Sequence, residues 1–466
     1  MLWMEWMKWC RPLRAACARQ RTFLWMGAVL IGFSVRGDLM GVTSFVRALG
    51  LDAMCYDRLL DLFHSPALRL AELTRLWTRL VLASHPGIER CGGMAVLVGD
   101  GLKVGKAGRK MPGVKKLHQE SGSNTKPPFI MGHSCQAVGV IVRGLAGGFA
   151  ALPLVARIHE GVVFSNRDKR TLLDKMIELL DALGMASPCY FVADAYYASG
   201  KVVRALLARG SHLVTRVRSN AVAFEKAPQP TKKKRGRPRL YGKKMKLRDL
   251  FAKPHAMQTA PSPVYGEQGV QIRFRVVDLL WRPVAGLVRF VAVDHPTRGR
   301  CLLMCTNLEL APLEIVRLYG LRFKIEVSFK QALHTLGAFA YHFWMRAMTP
   351  IKRKSGNQHM HRKTQDYRDA VRAKLDAYHR FIQLGLIAQG ILVALATTVP
   401  ALVWRHFGSW LRTVRPEACP SERVVAEALR NSLPEFLALD SEEAIHAKFI
   451  RERSDPTRGA AMRLAA

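Results

Sequence analysis

The apolar pattern of this chain changes period at Gly92, and that change restricts the folds open to it. Residues 1–90 carry apolar side chains at helical spacing, punctuated by turns at Arg36-Gly37-Asp38 and His64-Ser65-Pro66, with no strand-like alternation. From residue 92 onward, short apolar runs bounded by glycine or polar turns predict strands at 94–99, 132–142 and 149–159. An amphipathic helix follows at 166–183, then a strand at 189–193, a helix at 199–209 and a strand at 212–217. The order is βββαβαβ. It predicts an α/β fold, a mixed sheet flanked by helices in which the first and fourth strands can lie side by side.

The alternation stops at 220. Alternating segments at 271–281, 286–293 and 300–305 predict a β-rich insertion, introduced by the basic run Lys232 to Lys244, and helix resumes near 312. The expected organisation is a helical N-terminal domain (1–91), a first part of the core (92–219), the insertion (220–311), a returning core helix (312–345) and a helical C-terminal region (346–466). Residues 351–368 are polar and basic and read as an exposed loop; His359 and His361 lack the further ligands a metal site needs.

Two apolar stretches require a membrane test. Residues 23–33 resemble a signal core but lack a small-residue cleavage site, and read as a core helix. Residues 384–404 are free of charge and long enough to span a bilayer, but Gln389, Thr397, Thr398 and Pro400 interrupt them and both flanks are basic. A buried helix is expected, with no membrane partner.

The charge points to a polyanion. The chain has 72 Lys and Arg against 35 Asp and Glu, a formal net charge of +37, far beyond what solubility requires. Nucleic acid is the first candidate. Hydrophobic residues make up 49% of the chain, enough for a large core, so this is no disordered basic tail. The nine cysteines are odd in number and scattered, without a CxxC, which fits a reducing cytoplasm; with nucleic acid as the partner, a nucleoid-associated protein is expected.

Two acids stand where predicted strands run out, Asp100 and Asp194. Each alone is equally a turn residue or a helix cap. Side by side they repel, and a shared divalent cation such as Mg²⁺ relieves that repulsion. A third acid, Glu326, lies among Tyr319, Arg322 and Lys330 within roughly 80° on one helical face at ~100° per residue, opposite Leu318, Leu321, Ile325 and Ala332. Such a helix can present a carboxylate among cations, or simply carry i,i+4 ion pairs on an ordinary surface. The ordered set of three acids favours a two-metal site.

These residues resemble the DDE transposases of bacterial insertion sequences, which have a ribonuclease-H-like core. The match is to the branch with a Y-x2-R-x3-E-x6-K pattern and a β-rich insertion before the third acid, and it covers about residues 92–345. Tyr319, Arg322 and Glu326 fit the spacing; Leu333 stands where that pattern has lysine, and Lys330 is the nearest cation on that face. The resemblance implies cleavage of transposon ends and strand transfer by Asp100, Asp194 and Glu326 holding Mg²⁺, with Mn²⁺ able to substitute. It implies double-stranded DNA as partner, phosphate contacts from Tyr319, Arg322 and Lys330, and a homodimer on paired ends. Several relatives flip a base, for which Trp281, the insertion's only tryptophan, is the candidate wedge or else a packed strand residue.

The run containing Arg235, Arg237 and Arg239 reads as DNA-binding on its own chemistry. An extended Arg-Gly-Arg-Pro backbone can lie in a narrow minor groove, and ten Lys and Arg between 232 and 248 would neutralise phosphates. The competing reading is a solvated loop. The alternatives for the whole chain are a ribonuclease-H-like nuclease or resolvase without joining activity, and a non-catalytic basic DNA-binding protein.

Overall fold

The computed structural model describes residues 1–119, 127–228, 239–408, 413–441 and 444–457. The N-terminal region is helical as the periodicity predicts: α1 (Leu2–Cys10), α2 (Gln20–Val35), α3 (Thr43–Ala48), α4 (Cys55–His64) and α5 (Leu70–Ser84). Strand β1 (Arg90–Cys91) pairs with β2 (Met94–Gly105); β3 (Lys115–His118), β4 (Phe129–Arg143), β5 (Phe149–Ile158) and the short β6 (Val162–Val163) follow. Then come α6 (Leu172–Ala182), β7 (Cys189–Ala193), α7 (Gly200–Leu207) and β8 (His212–Arg216).

Within the large sheet these strands take the order β5-β4-β2-β7-β8. Strand β4 is antiparallel to both β5 and β2, while β2, β7 and β8 are parallel and joined through helices. This is the mixed-sheet topology of a ribonuclease-H-like fold. The helix predicted at 166–183 starts at Leu172, because Thr171 and Asp174 form a reciprocal capping box that fixes the first turn there.

The insertion does not stand apart. Its strands β9 (Val222–Lys226), β10 (Tyr241–Lys246), β11 (Gln258–Pro261), β12 (Gln271–Trp281), β13 (Gly286–His295) and β14 (Gly299–Cys305) extend the same sheet, because β14 pairs antiparallel with β8. Without that pairing β8 would present an open edge of backbone donors and acceptors. Trp281, the candidate wedge, packs into the core at the end of β12, 8% exposed.

The returning helix predicted from about 312 is two helices, α8 (Pro312–Leu321) and α9 (Lys324–His334). Across the junction the backbone bonds tighten to i,i+3, with Arg322 N–H to Tyr319 O and Ile325 N–H to Arg322 O both 3.1 Å. The stripe joining Tyr319 to Glu326 is therefore broken at Arg322. After β15 (Gln358–His359) come α10 (Gln365–Thr398), α11 (Pro400–Phe407), α12 (Glu422–Asn431), α13 (Leu433–Leu437) and α14 (Ile445–Arg451).

Helix α10 is the one described helix long and apolar enough to cross a membrane, and 94% of its apolar window is buried inside the fold. It packs on β5 and on the N-terminal helices, so Phe33, Phe45 and Phe63 meet its Phe381 in one core. Residues 1–91 thus share their core with the catalytic sheet. All nine cysteines are free thiols.

Candidate active site

The register of β2 and β7 sets the position of two carboxylates. Their parallel pairing runs from Ala95 opposite Cys189 to Val98 opposite Val192, along buried side chains. Asp100 lies two residues beyond Val98, and Asp194 two residues beyond Val192. Because side chains alternate, each acid points to the same face as the valine before it. Val96, Val98 and Val192 pack on Ile315, Leu318, Leu321 and Ile325, so that face is the one covered by α8 and α9.

The sequence predicts that Asp100 ends its strand, and the structure corrects this. Strand β2 continues to Gly105 along β4, with Asp100 opposite Ala137; what stops near Asp100 is the parallel half of the sheet. Gly99 is required by close packing, since a Cβ there would lie 2.5 Å from the Phe191 ring. Asp194 caps the short turn Ala195–Tyr197, accepting from Tyr196 N–H at 3.0 Å, and its carbonyl accepts from Thr215 Oγ1 at 2.7 Å.

Arg322 links the strands to the third acid. Its Nη1 donates to Asp100 Oδ2 at 3.0 Å and its Nη2 to Glu326 Oε1 at 2.5 Å. The guanidinium side chain is 17% exposed while Glu326 is 43% exposed, so Arg322 lies inside the site and Glu326 at its rim. Arg322 therefore faces carboxylates, where the sequence pattern implied a phosphate. Burial, then the charge of Asp194, push the Asp100 carboxyl up to about 6, against the lowering effects of the Gly101 N–H and Arg322. Tyr319 is half-buried on α8; burial raises its phenol, and Arg322 and Arg216 pull the other way.

Three neighbours escaped the sequence reading. Arg216 ends β8 next to Tyr319. Tyr197 is buried, its phenol raised by burial and by Asp100, and its hydroxyl accepts from Gln136 Nε2 at 2.9 Å. Gln136 Oε1 lies 2.6 Å from His159 Nδ1, completing a polar chain behind the acids. The signal was present: His133, Ser134 and Gln136 interrupt a largely apolar strand, and buried polar residues there must find partners.

Two contacts fix α9. Gln389 of α10 donates through Nε2 to Ser328 O at 2.9 Å, two residues past Glu326. At the C-terminal end, buried Arg36 donates to Leu336 O and to Gly337 O, the latter at 2.9 Å. Lys330 is exposed one turn beyond Glu326, and Leu333 is half-buried against the main core. Arg239 is exposed just before β10, the sheet's edge strand; Arg235 and Arg237 lie outside the described residues.

Among the described residues, no group of three His, Cys, Asp or Glu is gathered tightly enough to hold a metal ion. The chemistry of the three carboxylates fits a divalent cation nonetheless: Asp194 and Glu326 each act unfavourably on the charge of Asp100, and Arg322 bonds both Asp100 and Glu326.

A comparison with known families matches residues 15–277, more than half of the chain, to the DDE superfamily endonuclease family. No curated protein matches. Among solved structures, a cryo-EM structure of the piggyBac transposase synaptic complex with hairpin DNA is similar at 13% identity and a TM-score of 0.39, over 97% of this chain and 82% of that one. At that score the likeness says nothing about individual residues or ligands. The family match spans Asp100 and Asp194 with the strands that position them, and on it the chain belongs to the DDE superfamily of endonucleases.

Proposed function

We propose that this endonuclease is a transposase that binds the ends of its own element and carries out metal-dependent strand cleavage and strand transfer of the cut-and-paste type. The observation that supports this most is the matched register of Asp100 and Asp194, with Arg322 tying Asp100 to Glu326. In this reading Asp100, Asp194 and Glu326 hold Mg²⁺, with Mn²⁺ as a substitute. The bound cation supplies a water or 3′-hydroxyl nucleophile at neutral pH and offsets charge at the scissile phosphate. Arg322 keeps the carboxylates neutralised until then. With a cation held there, the Arg322 guanidinium would be free to contact the phosphate backbone, and Lys330 lies on the exposed rim beside it.

Positioning belongs to the rest of the chain. Arg239 with Arg235 and Arg237 would grip duplex DNA beside the insertion, the helices of 1–91 would contribute to end recognition, and a homodimer would hold two ends together. The test uses the DNA that flanks the coding sequence on both sides, in which the reading expects short inverted repeats. Asp100→Asn, Asp194→Asn and Glu326→Gln should each lose at least ~100-fold in Mg²⁺-dependent cleavage while binding that DNA within a few-fold of wild type. Near wild-type cleavage by any of the three sinks the assignment, and cleavage without joined product would identify a nuclease without transfer activity.

A further inference from the structure

Trp344 breaks a rule that the other tryptophans obey. Each of the other described tryptophans is at most 9% exposed, whereas Trp344 is 66% exposed. It is held outward by alternation: Tyr341, Phe343 and Met345 are buried, while His342, Trp344 and Arg346 face solvent. A projecting indole is a large apolar area left in water, and it is common where a partner covers it.

The surroundings define the partner's charge. Residues 106–119 and 340–363 together hold eleven Lys and Arg and no Asp or Glu. The structure laces the two segments together. Met345 N–H donates to Lys110 O at 3.0 Å, Ile351 N–H to Arg109 O at 2.8 Å, and Lys116 N–H to Ser355 O at 2.8 Å. A Cβ at Gly108 would lie 3.3 Å from the Trp344 indole nitrogen, so the ring rests beside that backbone. Arg109, Arg346, Lys352, Arg353 and Lys354 are exposed along the same seam. Among the described residues, Glu160 pairs with Lys115 at 3.3 Å.

We propose that this seam is a track for single-stranded DNA, on which Trp344 stacks one unpaired base while the flanking Arg and Lys follow the phosphates. The inference rests on the reading of the chain as a DNA-processing enzyme. An aromatic face set in a basic groove is the arrangement that binds single strands without sequence preference. Inside a duplex the faces of a base are already covered by its neighbours, so an indole gains a stacking partner only where the helix is open. The track is separate from the carboxylates: at ~3.3 Å per residue, strand β2 carries the chain roughly 16 Å from Asp100 to Gly105 before the seam begins. A frayed or displaced strand leaving the site is the ligand it suits.

The test is binding by the full-length chain to a fluorescent oligo-dT and to a blunt duplex of random sequence, without metal. Trp344→Ala should weaken oligo-dT binding roughly tenfold or more, the contribution of one stacked base, Trp344→Phe should retain most of the affinity, and blunt-duplex binding should change less than twofold. Wild type should also show an iodide-quenchable tryptophan that oligo-dT protects and that Trp344→Phe lacks. Unchanged oligo-dT binding in Trp344→Ala overturns the proposal, as does an equal loss on blunt duplex. If Trp344→Ala instead dissociates a dimer, or abolishes sedimentation with anionic vesicles, with oligo-dT affinity intact, the face belongs to a second copy or to a lipid surface and the proposal falls. Wild-type cleavage that persists in any of those cases leaves the transposase reading standing.

Discussion

Arg322 reaches across 222 residues of sequence to Asp100, with Nη1 3.0 Å from Oδ2. The contact joins a β-strand to a helix junction and places a positive charge where three carboxylates would otherwise repel. Asp100 and Arg322 are each only about one-fifth exposed, so the pair is worth more than a surface ion pair. Arg322→Met should lower the stability of the metal-free protein by about 1–3 kcal/mol, from leaving a buried carboxylate less well partnered. The same change removes the competitor for the carboxylates. Mg²⁺ or Mn²⁺ should then raise the thermal midpoint of Arg322→Met more than that of wild type. Equal metal-induced shifts in the two proteins would show that Arg322 does not occupy the cation's place.

The Asp100 carboxyl gives a pH dependence of definite sign. Burial and Asp194 push it up to about 6 from the ordinary carboxylate value of 3.8. Between those values the folded protein keeps a proton that the unfolded chain has released, so stability falls as pH rises through that window and stays lower above it. The cost is about 2–3 kcal/mol above pH 6. A divalent cation reverses it by competing with the proton. The rise in thermal midpoint on adding Mn²⁺ should be large at pH 7.5 and small at pH 5, and Asp100→Asn should flatten the difference. A metal response independent of pH in wild type would contradict it.

The sequence carried the catalytic sheet further than it carried the site. Periodicity yields βββαβαβ because strands buried on both faces are short apolar runs, and the run 189–193 has the observed bounds. It stops β2 too early because Gly101, Lys103 and Gly105 read as a turn. They are strand residues whose partners in β4, Gln136, Ser134 and Gly132, are distant in sequence. The capping pair Thr171 and Asp174 was legible and would have placed the helix start correctly. The tightened turn at Arg322 was not, since a switch from i,i+4 to i,i+3 bonding leaves the apolar period almost unchanged. Nor could any local pattern show that Arg322 faces Asp100, because only the closed sheet brings them together.

Helix α9 carries Glu326 but is short, and its placement depends on contacts from other elements. Gln389 is fully buried on α10 and binds Ser328 through both O, at 2.9 Å, and Oγ, at 3.1 Å. Gln389→Leu keeps the volume and loses both bonds, leaving the Ser328 carbonyl without this donor. Stability should fall by about 1–2 kcal/mol. Cleavage should fall several-fold at saturating DNA while affinity for end DNA is retained, because Glu326 shifts and the DNA-binding surface does not. Loss of stability with full cleavage in the surviving folded protein would make Gln389 a packing residue alone.

The last prediction concerns position 333, where the Y-x2-R-x3-E-x6-K pattern that this sequence resembles has lysine and this chain has leucine. Lys330 sits one turn beyond Glu326 and is exposed, whereas Leu333 is half-buried against the main core. If Lys330 supplies the missing cation, Lys330→Ala should lower strand transfer more than initial binding and reduce the slope of log affinity against log salt by about one. The packing of Leu333 decides the reciprocal experiment. A lysine placed there must bury its stem where leucine now packs and bring an ammonium toward apolar neighbours, so Leu333→Lys should cost about 1–3 kcal/mol of stability. Transfer by Lys330→Ala/Leu333→Lys should therefore stay no better than by Lys330→Ala alone. Recovery of transfer in the double variant, with stability intact, would show that position 333 can turn outward and that the leucine is a replaceable departure from the pattern.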